Sequence, residues 1–179
     1  MNPVSTFFLW KRHGYVRKKM GGVHSKILDV GCGLHKVRLD EIGMDTKSWK
    51  RPDVVGSALG LPFAGGSFDC VTMLELIEHM NKGSQQMALQ EAKRVLKPSG
   101  LFIMSTPNMS KWWSAPYKLI WAIWEKTVQR EYRHEHIGMF PQRYIERLLV
   151  HYFDFLGSQR VALLDRVYLC RKANNSVEA

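Results

Sequence analysis

The stretch Lys26-Ile27-Leu28-Asp29-Val30-Gly31-Cys32-Gly33 decides the fold of this chain. It is a short apolar run that carries one acidic residue and then breaks into two glycines, one residue apart. Such a run is typical of a buried parallel strand that turns sharply at its carboxyl end, where no side chain keeps a ligand away from the backbone. Ligands of open α/β sheets bind beyond the carboxyl ends of the strands. The stretch therefore predicts a site for a small, nucleotide-like molecule.

The residues that follow exclude two common nucleotide-binding motifs. A dinucleotide fingerprint needs a third glycine three residues after the second, at the start of a full helix, and an acidic residue about 20 residues further on. Lys36 stands where that glycine would be, and Asp45 comes too early to be that acid. A Walker phosphate loop is excluded as well, because no Gly-Lys-Ser/Thr sequence follows.

Four further segments with strand-and-turn character follow in order along the chain. They are Ile-Gly-Met-Asp at 42–45, the run from Asp53 to Phe63, the run from Ser67 to His79, and the run from Arg94 to Ser105. Together with the D-x-G-x-G core, these segments make residues 26–108 resemble the class I S-adenosylmethionine-dependent methyltransferases, in their UbiE-like (methyltransferase type 11) group. The resemblance implies S-adenosylmethionine as cofactor and S-adenosylhomocysteine as product.

The resemblance also implies the fold class, which is α/β. We expect a Rossmann-like, doubly wound, mostly parallel seven-stranded sheet with an antiparallel C-terminal hairpin. Strands are predicted at 26–30, 41–45, 67–73 and 101–105, with a third strand beginning near residue 53 and the hairpin near 155–164 and 166–171. Little room is left between Gly33 and Ile42 for the usual first crossover helix. A loop or a single helical turn is expected there.

Two helices are marked by their end signals. Ser84 is a plausible N-cap for a helix that runs to Leu96, and Pro98-Ser99-Gly100 is expected to stop it. A second helix is predicted over 141–151, because Pro141 suits a first helical position.

The resemblance implies that residues at the ends of the first two strands bind the methionine and ribose parts of the cofactor. Gly31, Cys32 and Gly33 form the turn that lets the backbone approach the methionine part, and Asp29 orders this turn and faces the amino group. Asp45 is expected to accept both ribose hydroxyls, since a carboxylate offers paired acceptors. The alternatives are plain turn glycines without a ligand and a solvated aspartate at a strand end.

Residues further along complete this expected cofactor site. Ser57, Ala58 and Leu59 lie in the adenine loop, where Ser57 replaces the usual acid, so that this contact is expected to be weak or bridged by water. Leu74 and Glu75 follow the fourth strand and are expected to offer backbone contacts to the methionine part. Glu75 is equally compatible with a surface position on the next helix.

Candidate catalytic residues are histidines, whose pKa range suits proton transfer near neutrality. His79 belongs to the family-like Glu-His pair and has a structural alternative. His136, with His134 beside it, lies near the C-terminal end of a predicted lid. The H-x-H spacing alone places no third ligand, so no metal site is predicted.

The predicted lid is an aromatic segment, which we place at 109–140. Trp113, Tyr117, Trp121 and Trp124 recur at three- and four-residue steps and form one face of a helix. A segment at this position of the family often covers the acceptor pocket. The alternative is that the stripe simply packs on the domain.

Length and composition predict one domain over residues 1–179 in the cytoplasm. No apolar stretch reaches the ~20 residues that cross a bilayer, and the three cysteines indicate neither a disulfide framework nor a zinc site. The net charge of +10 is concentrated in a basic N-terminal helix within 1–22, which also carries Phe7, Phe8 and Trp10. Such a helix either caps the sheet as a solvated element or touches an anionic membrane surface or nucleic acid.

The predicted function is methyl transfer to a small-molecule acceptor, lipid-linked or aromatic, with peripheral membrane contact as an option. Nucleic acid is a less favoured partner: Leu74-Glu75-Leu76-Ile77 stands where enzymes that methylate base amines in DNA carry an Asn/Asp-Pro-Pro-aromatic motif. RNA methylation stays open because of the charge. The third alternative is a catalytically inactive, methyltransferase-like binding module.

Overall fold

Strands and helices alternate along the computed structural model, which describes residues 3–21, 26–107, 140–161 and 165–174. Its α-helices are α1 (Pro3–Met20), α2 (Lys82–Val95) and α3 (Gln142–Tyr152). Its strands are β1 (Ile27–Val30), β2 (Ile42–Asp45), β3 (Val54–Val55), β4 (Phe68–Leu74), β5 (Leu96–Pro107), β6 (Asp154–Val161) and β7 (Asp165–Arg171). Short 3₁₀ helices occupy Ser48–Lys50 and Ile77–His79.

These strands form one sheet in the order β3-β2-β1-β4-β5-β7-β6. The first five are parallel, and β7 pairs antiparallel with both β5 and β6. The predicted fold class is therefore confirmed. Since the strand order reverses between β1 and β4, the crevice at the carboxyl ends of these two strands is the expected ligand site.

The sheet is covered on both faces, and neighbouring residues of β5 show how. Phe102 and Met104 pack into the cluster beneath α2 and α3, where Phe102 stacks on Phe153 with ring centroids 4.6 Å apart. Ile103, which lies between them, points to the opposite face and joins Val16 and Met20 of α1. This alternation is the two-residue period of a strand buried on both sides.

The loop from β1 to β2 contains no α-helix, which confirms the predicted loss of the first crossover helix. In place of that helix, Lys36 connects the loop to the sheet. Its ammonium donates to the backbone oxygen of Glu41 at 3.0 Å and to Asp53 Oδ2 at 2.8 Å. Its stem passes so close to Gly43 that a Cβ there would lie 2.6 Å from Lys36 Cδ. A glycine in β2 is therefore required for Lys36 to tie the loop to the sheet.

The predicted N-cap and stop signal of α2 were wrong, whereas its C-terminal end lies within one residue of the prediction. Asn81 is the N-cap of α2, and its Oδ1 accepts the backbone N–H of Ser84 at 2.9 Å. The helix ends at Val95, and Leu96 already pairs with Phe68 in the sheet. Residues 98–100 therefore lie in β5 and do not stop the helix.

Within the described parts of the chain, no helix is long and apolar enough to cross a membrane. Apart from Phe140, the predicted lid lies outside the described residues, as do His134 and His136.

Candidate active site

A cavity of about 910 Å³ opens at the carboxyl ends of β1, β2 and β4. It brings together most of the predicted site residues: Gly31, Gly33, Asp45, Ser57, Ala58, Leu59, Glu75 and His79. Asp29, Cys32 and Leu74 do not line it, and His136 lies outside the described residues. The wall also includes residues that were not predicted from the sequence: Lys47, Lys50, Leu76, Met80, Asn81 and Ser84.

The glycine turn after β1 has a backbone conformation that glycine adopts without strain and other residues rarely adopt. Gly31 has φ +76° and Gly33 has φ +60°, both in the left-handed region. The N–H groups of Gly31 and Cys32 donate to the carbonyl of Met44 at 2.7 and 3.1 Å, which fixes the turn to β2. Burial raises the pKa of the Cys32 thiol to about 12, so this cysteine is a packing residue and not a nucleophile.

Asp45 ends β2 and organises the same wall of the cavity. Its carboxylate accepts from the Gly33 N–H at 3.1 Å, the Lys47 N–H at 2.9 Å and the Lys50 ammonium at 3.1 Å. The residue is only 5% exposed. A carboxylate has about four lone-pair positions, so three donors leave room for a further one from a ligand.

The loop over residues 57–59 is closed by its own hydrogen bonds. Ser57 Oγ accepts the Leu59 N–H at 3.2 Å, and Ser57 forms an isolated bridge with Gly60. From the side of α2, Glu91 Oε2 accepts the Leu61 N–H at 2.6 Å. These bonds fix the shape of the loop.

Asp29 lies beneath the glycine turn, not in the cavity. It is 3% exposed, and its Oδ1 accepts the hydroxyl of Thr72 at 2.7 Å. Glu41, which was not predicted as part of the site, is also buried, and it accepts the N–H of Arg38 at 2.9 Å. Burial raises the pKa of Asp29 to about 6, and burial together with the charge of Asp29 raises the pKa of Glu41 to about 8. Two buried carboxyl groups thus share the space under the turn.

This pair predicts that the protein loses stability as the pH rises from 6 to 8.5. Both folded-state pKa values lie above those of free carboxyl groups, so the folded chain binds more protons than the unfolded chain in this range, and its stability falls as the groups ionise. Thermal melts should show a falling melting temperature, by roughly 2–4 °C for each kcal/mol lost. In Glu41→Gln the melting temperature should fall less steeply with pH.

Asp40→Asn is the matched control for that experiment, because Asp40 is the exposed neighbour of Glu41 and pairs with Arg38 at the surface. Its melting temperature should fall with pH as steeply as that of the parent. A Glu41→Gln variant whose melting temperature falls with pH as steeply as the parent's would contradict the account of the buried pair.

A second group of charges lies where β4 and β5 end. Glu75 follows β4 with φ +51°, and its Oε1 accepts the Ser105 hydroxyl at 2.7 Å. Arg12 of α1 reaches the same place, with Nη1 at 2.9 Å from Asp165 Oδ2 and 3.7 Å from Glu75 Oε1. Sequence reasoning missed this group, because Arg12 and Asp165 are 153 residues apart. His79, at the end of the 3₁₀ helix Ile77–His79, lines the cavity nearby.

Comparison with known proteins adds a domain family and relatives. Residues 28–104 match the family described as a methyltransferase domain. A probable S-adenosylmethionine-dependent methyltransferase of Mycolicibacterium smegmatis is 28% identical over 56% of this chain and 46% of its own. The 2-methyl-6-phytyl-1,4-hydroquinone methyltransferase of Synechocystis is 27% identical over 72% of this chain and 48% of its own. The chain thus spans less than half the length of the curated relatives it matches.

Solved structures share the fold at lower identity. The PH0226 protein of Pyrococcus horikoshii superposes with a TM-score of 0.76 at 18% identity, over 96% of this chain and 92% of that one. The 1,6-didemethyltoxoflavin-N1-methyltransferase of Burkholderia thailandensis, crystallised with its substrate and S-adenosylhomocysteine, gives 0.69 at 17% identity, over 96% and 81%. These structures confirm the fold, and the family match over residues 28–104 supports the predicted methyltransferase class, with S-adenosylmethionine as the cofactor that this class implies. The UbiE-like subgroup stays a prediction.

Proposed function

We propose that the protein built around this class I methyltransferase domain transfers a methyl group from S-adenosylmethionine to a small-molecule acceptor of lipid-like or aromatic character. The observation that carries the proposal is the cavity, in which the glycine turn and Asp45 form one wall and Glu75, His79 and Met80 form another. Its volume of about 910 Å³ lies at the upper end of the range for small-molecule sites, about 300–1,000 Å³. A donor and a compact acceptor fit this description together.

We place the donor along the wall made by β1 and β2. The turn at Gly31 and Gly33 leaves the backbone open to the methionine part. Asp45 was expected to accept both ribose hydroxyls, but three donors already occupy its carboxylate, so we place one ribose hydroxyl there. The loop at Ser57–Leu59 receives the adenine. Asp29 lies below the turn and accepts the Thr72 hydroxyl of β4, and this bond replaces its expected contact with the amino group.

Cys32, Leu74 and Glu75 complete the proposed donor set through their backbone. Methyl transfer is an in-line displacement, so holding donor and acceptor in line supplies much of the rate. His79 and His136 stay the proposed bases for an acceptor that must lose a proton, and the segment 109–140 stays the proposed lid.

Two relatives support the acceptor class. The Synechocystis enzyme acts by its name on a phytyl-substituted hydroquinone, and the Burkholderia enzyme acts on 1,6-didemethyltoxoflavin. Both names describe small ring compounds, and the first carries a lipid tail. Aromatic residues in the proposed lid suit such acceptors.

A direct test of the acceptor class uses tritium-labelled S-adenosylmethionine and a fractionated cell extract. We expect label to appear in the organic phase or in small molecules below the size of RNA and protein. Label that stays in the aqueous phase and becomes soluble after ribonuclease treatment would establish RNA methylation instead. Label in neither fraction, with the cofactor bound, would support the inactive binding module.

We further propose that α1 lies at an anionic membrane surface, with the protein otherwise in the cytoplasm. Phe7 and Trp10 are 50% and 62% exposed on this helix, and the Lys11 ammonium lies 5.7 and 5.5 Å from their ring centroids. Aromatic rings beside lysines on an exposed helix face suit the headgroup region of a bilayer. The net charge of +10 favours anionic lipids.

Sedimentation with vesicles of anionic phospholipid tests this placement. The double variant Phe7→Ser/Trp10→Ser should lower the bound fraction at least fivefold, about 1 kcal/mol. Val150→Ser removes a similarly exposed apolar side chain from α3, on the other face of the sheet, and should bind as the parent does. Equal sedimentation of the parent with anionic and neutral vesicles, or no sedimentation, would contradict the proposal.

A further inference from the structure

Arg12 links the N-terminal helix to the end of the cavity where β4 and β5 finish. Its Nη1 donates to Asp165 Oδ2 at 2.9 Å, and its side chain is only 14% exposed. The same nitrogen lies 3.7 Å from Glu75 Oε1. Glu75 lines the cavity, and its side chain is 22% exposed. One guanidinium therefore lies behind the carboxylate that faces the ligand space.

The backbone of Glu75 is held in place against its own preference. Its φ of +51° is rare for a residue with a Cβ, and such strain is kept where surrounding bonds impose it. Its N–H donates to the backbone oxygen of Ser105 at 3.1 Å, while the Ser105 hydroxyl donates to Glu75 Oε1 at 2.7 Å. Strand β5 and helix α1 thus fix the backbone and the carboxylate of Glu75 together.

The charges around Glu75 do not balance. Glu78 is 2% exposed, and among the described residues its buried Oε2 has no hydrogen-bond partner. Three carboxyl groups (Glu75, Glu78 and Asp165) surround one guanidinium. Burial and the charge of Glu75 raise the pKa of Glu78 well above its usual range and that of Asp165 to about 7. Arg12 lies within 4 Å of both Asp165 and Glu75, so its charge offsets part of the negative charge at this end of the cavity.

We propose that Glu75 is the acceptor-side carboxylate of the site and that Arg12 is the positioning residue that holds it in place. This inference rests on the proposed function and names the acceptor class: a hydroxyl or amine that donates a hydrogen bond to Glu75. The acceptor's lone pair forms the new bond to the methyl carbon as the carbon–sulfur bond breaks. The bonding pair stays on sulfur, which gives neutral S-adenosylhomocysteine, and the acceptor's proton passes to the Glu75 carboxylate.

The test needs no acceptor, because two cofactor analogues report on this carboxylate. Sinefungin carries a primary ammonium in place of the methylsulfonium group, whereas S-adenosylhomocysteine is neutral there. The ratio of their dissociation constants, measured by calorimetry, isolates the interaction at the acceptor side from general damage to the site. The parent should prefer sinefungin, and Glu75→Gln should reduce this preference about tenfold, which is about 1.4 kcal/mol.

Arg12→Met tests the positioning role through pH. In the parent the preference should vary little from pH 6 to pH 8.5, because Arg12 offsets the charge that Asp165 gains as it ionises. Without the Arg12 guanidinium, the cluster of Glu75, Glu78 and Asp165 should hold a further proton at pH 6, so the preference should fall about fivefold there and return by pH 8.5. Arg12→Lys should restore the profile of the parent. Lys18→Met, which removes an exposed cation from the same helix, should behave as the parent does.

A buried carboxylate left without its partner can prevent folding. The double variant Arg12→Met/Asp165→Asn removes both members of the 2.9 Å pair and should show the same pH-dependent preference. A Glu75→Gln variant that keeps the full preference for sinefungin would overturn the inference alone. So would Arg12→Met and Arg12→Met/Asp165→Asn variants whose preference does not vary with pH. A parent that binds neither analogue would overturn the proposed function as well.

Discussion

Replacing Asp45 with asparagine is expected to weaken S-adenosylmethionine binding at least tenfold, about 1.4 kcal/mol. The carboxylate of Asp45 accepts from Gly33, Lys47 and Lys50, so it shapes the turn as well as facing the ligand. Asparagine keeps the size but turns half of the group into an N–H donor, which meets the N–H donors already there. A ribose hydroxyl then competes with these donors for the single oxygen that remains. Isothermal titration calorimetry measures the change.

Asp40→Asn is the control for Asp45→Asn. It removes an acidic charge from the same loop region, at a side chain that is 65% exposed and outside the cavity wall. Its affinity should stay within about twofold of the parent. An Asp45→Asn variant with parental affinity would show that the end of β2 does not hold the ribose.

Substituting Gly31 with alanine is the second change for which we expect a large effect. A Cβ there would lie 3.0 Å from both methyl carbons of Leu76, in a backbone with φ +76°. The strain should lower the free energy of unfolding by about 1–2 kcal/mol. Leu76 lines the cavity, so its displacement should also reduce cofactor affinity, by about fivefold or more.

Gly66→Ala separates the two effects of Gly31→Ala. Gly66 has a similar φ of +65°, but a Cβ there meets no atom within 4 Å, and the residue does not line the cavity. It should lose comparable stability in urea unfolding and bind the cofactor as the parent does. If both variants lost the same affinity, the loss would follow from lower global stability. It would not follow from local contact with Leu76.

Local pattern was sufficient to predict the sheet and one wall of the site. The apolar run at 27–30, the two glycines after it and Asp45 each depend on neighbours in sequence, and the structure places the turn and Asp45 side by side. The absent crossover helix followed from simple chain length between Gly33 and Ile42. The N-cap of α2 was missed because Asn81 and Ser84 both suit that position, and the fold selects Asn81.

The charged surroundings of the site depend on contacts that no local pattern reports. Lys36 reaches Asp53 across the loop, Glu41 lies against Asp29 under the turn, and Arg12 meets residues from the opposite end of the chain. Each contact exists only because the strands bring distant segments together. The role of Glu75 changes with them, since its backbone was expected to serve the cofactor and its side chain joins the charged group behind the acceptor side.

Calorimetric titration of the unmodified protein with S-adenosylmethionine tests the central claim most directly, with NAD⁺ and ATP as controls that share the adenosine group. The account predicts saturable binding at one site in the micromolar range for S-adenosylmethionine, and no measurable binding of the two controls. Absence of S-adenosylmethionine binding, or equal binding of all three compounds, would contradict the assignment of the cavity at β1, β2 and β4 as a methyl-donor site.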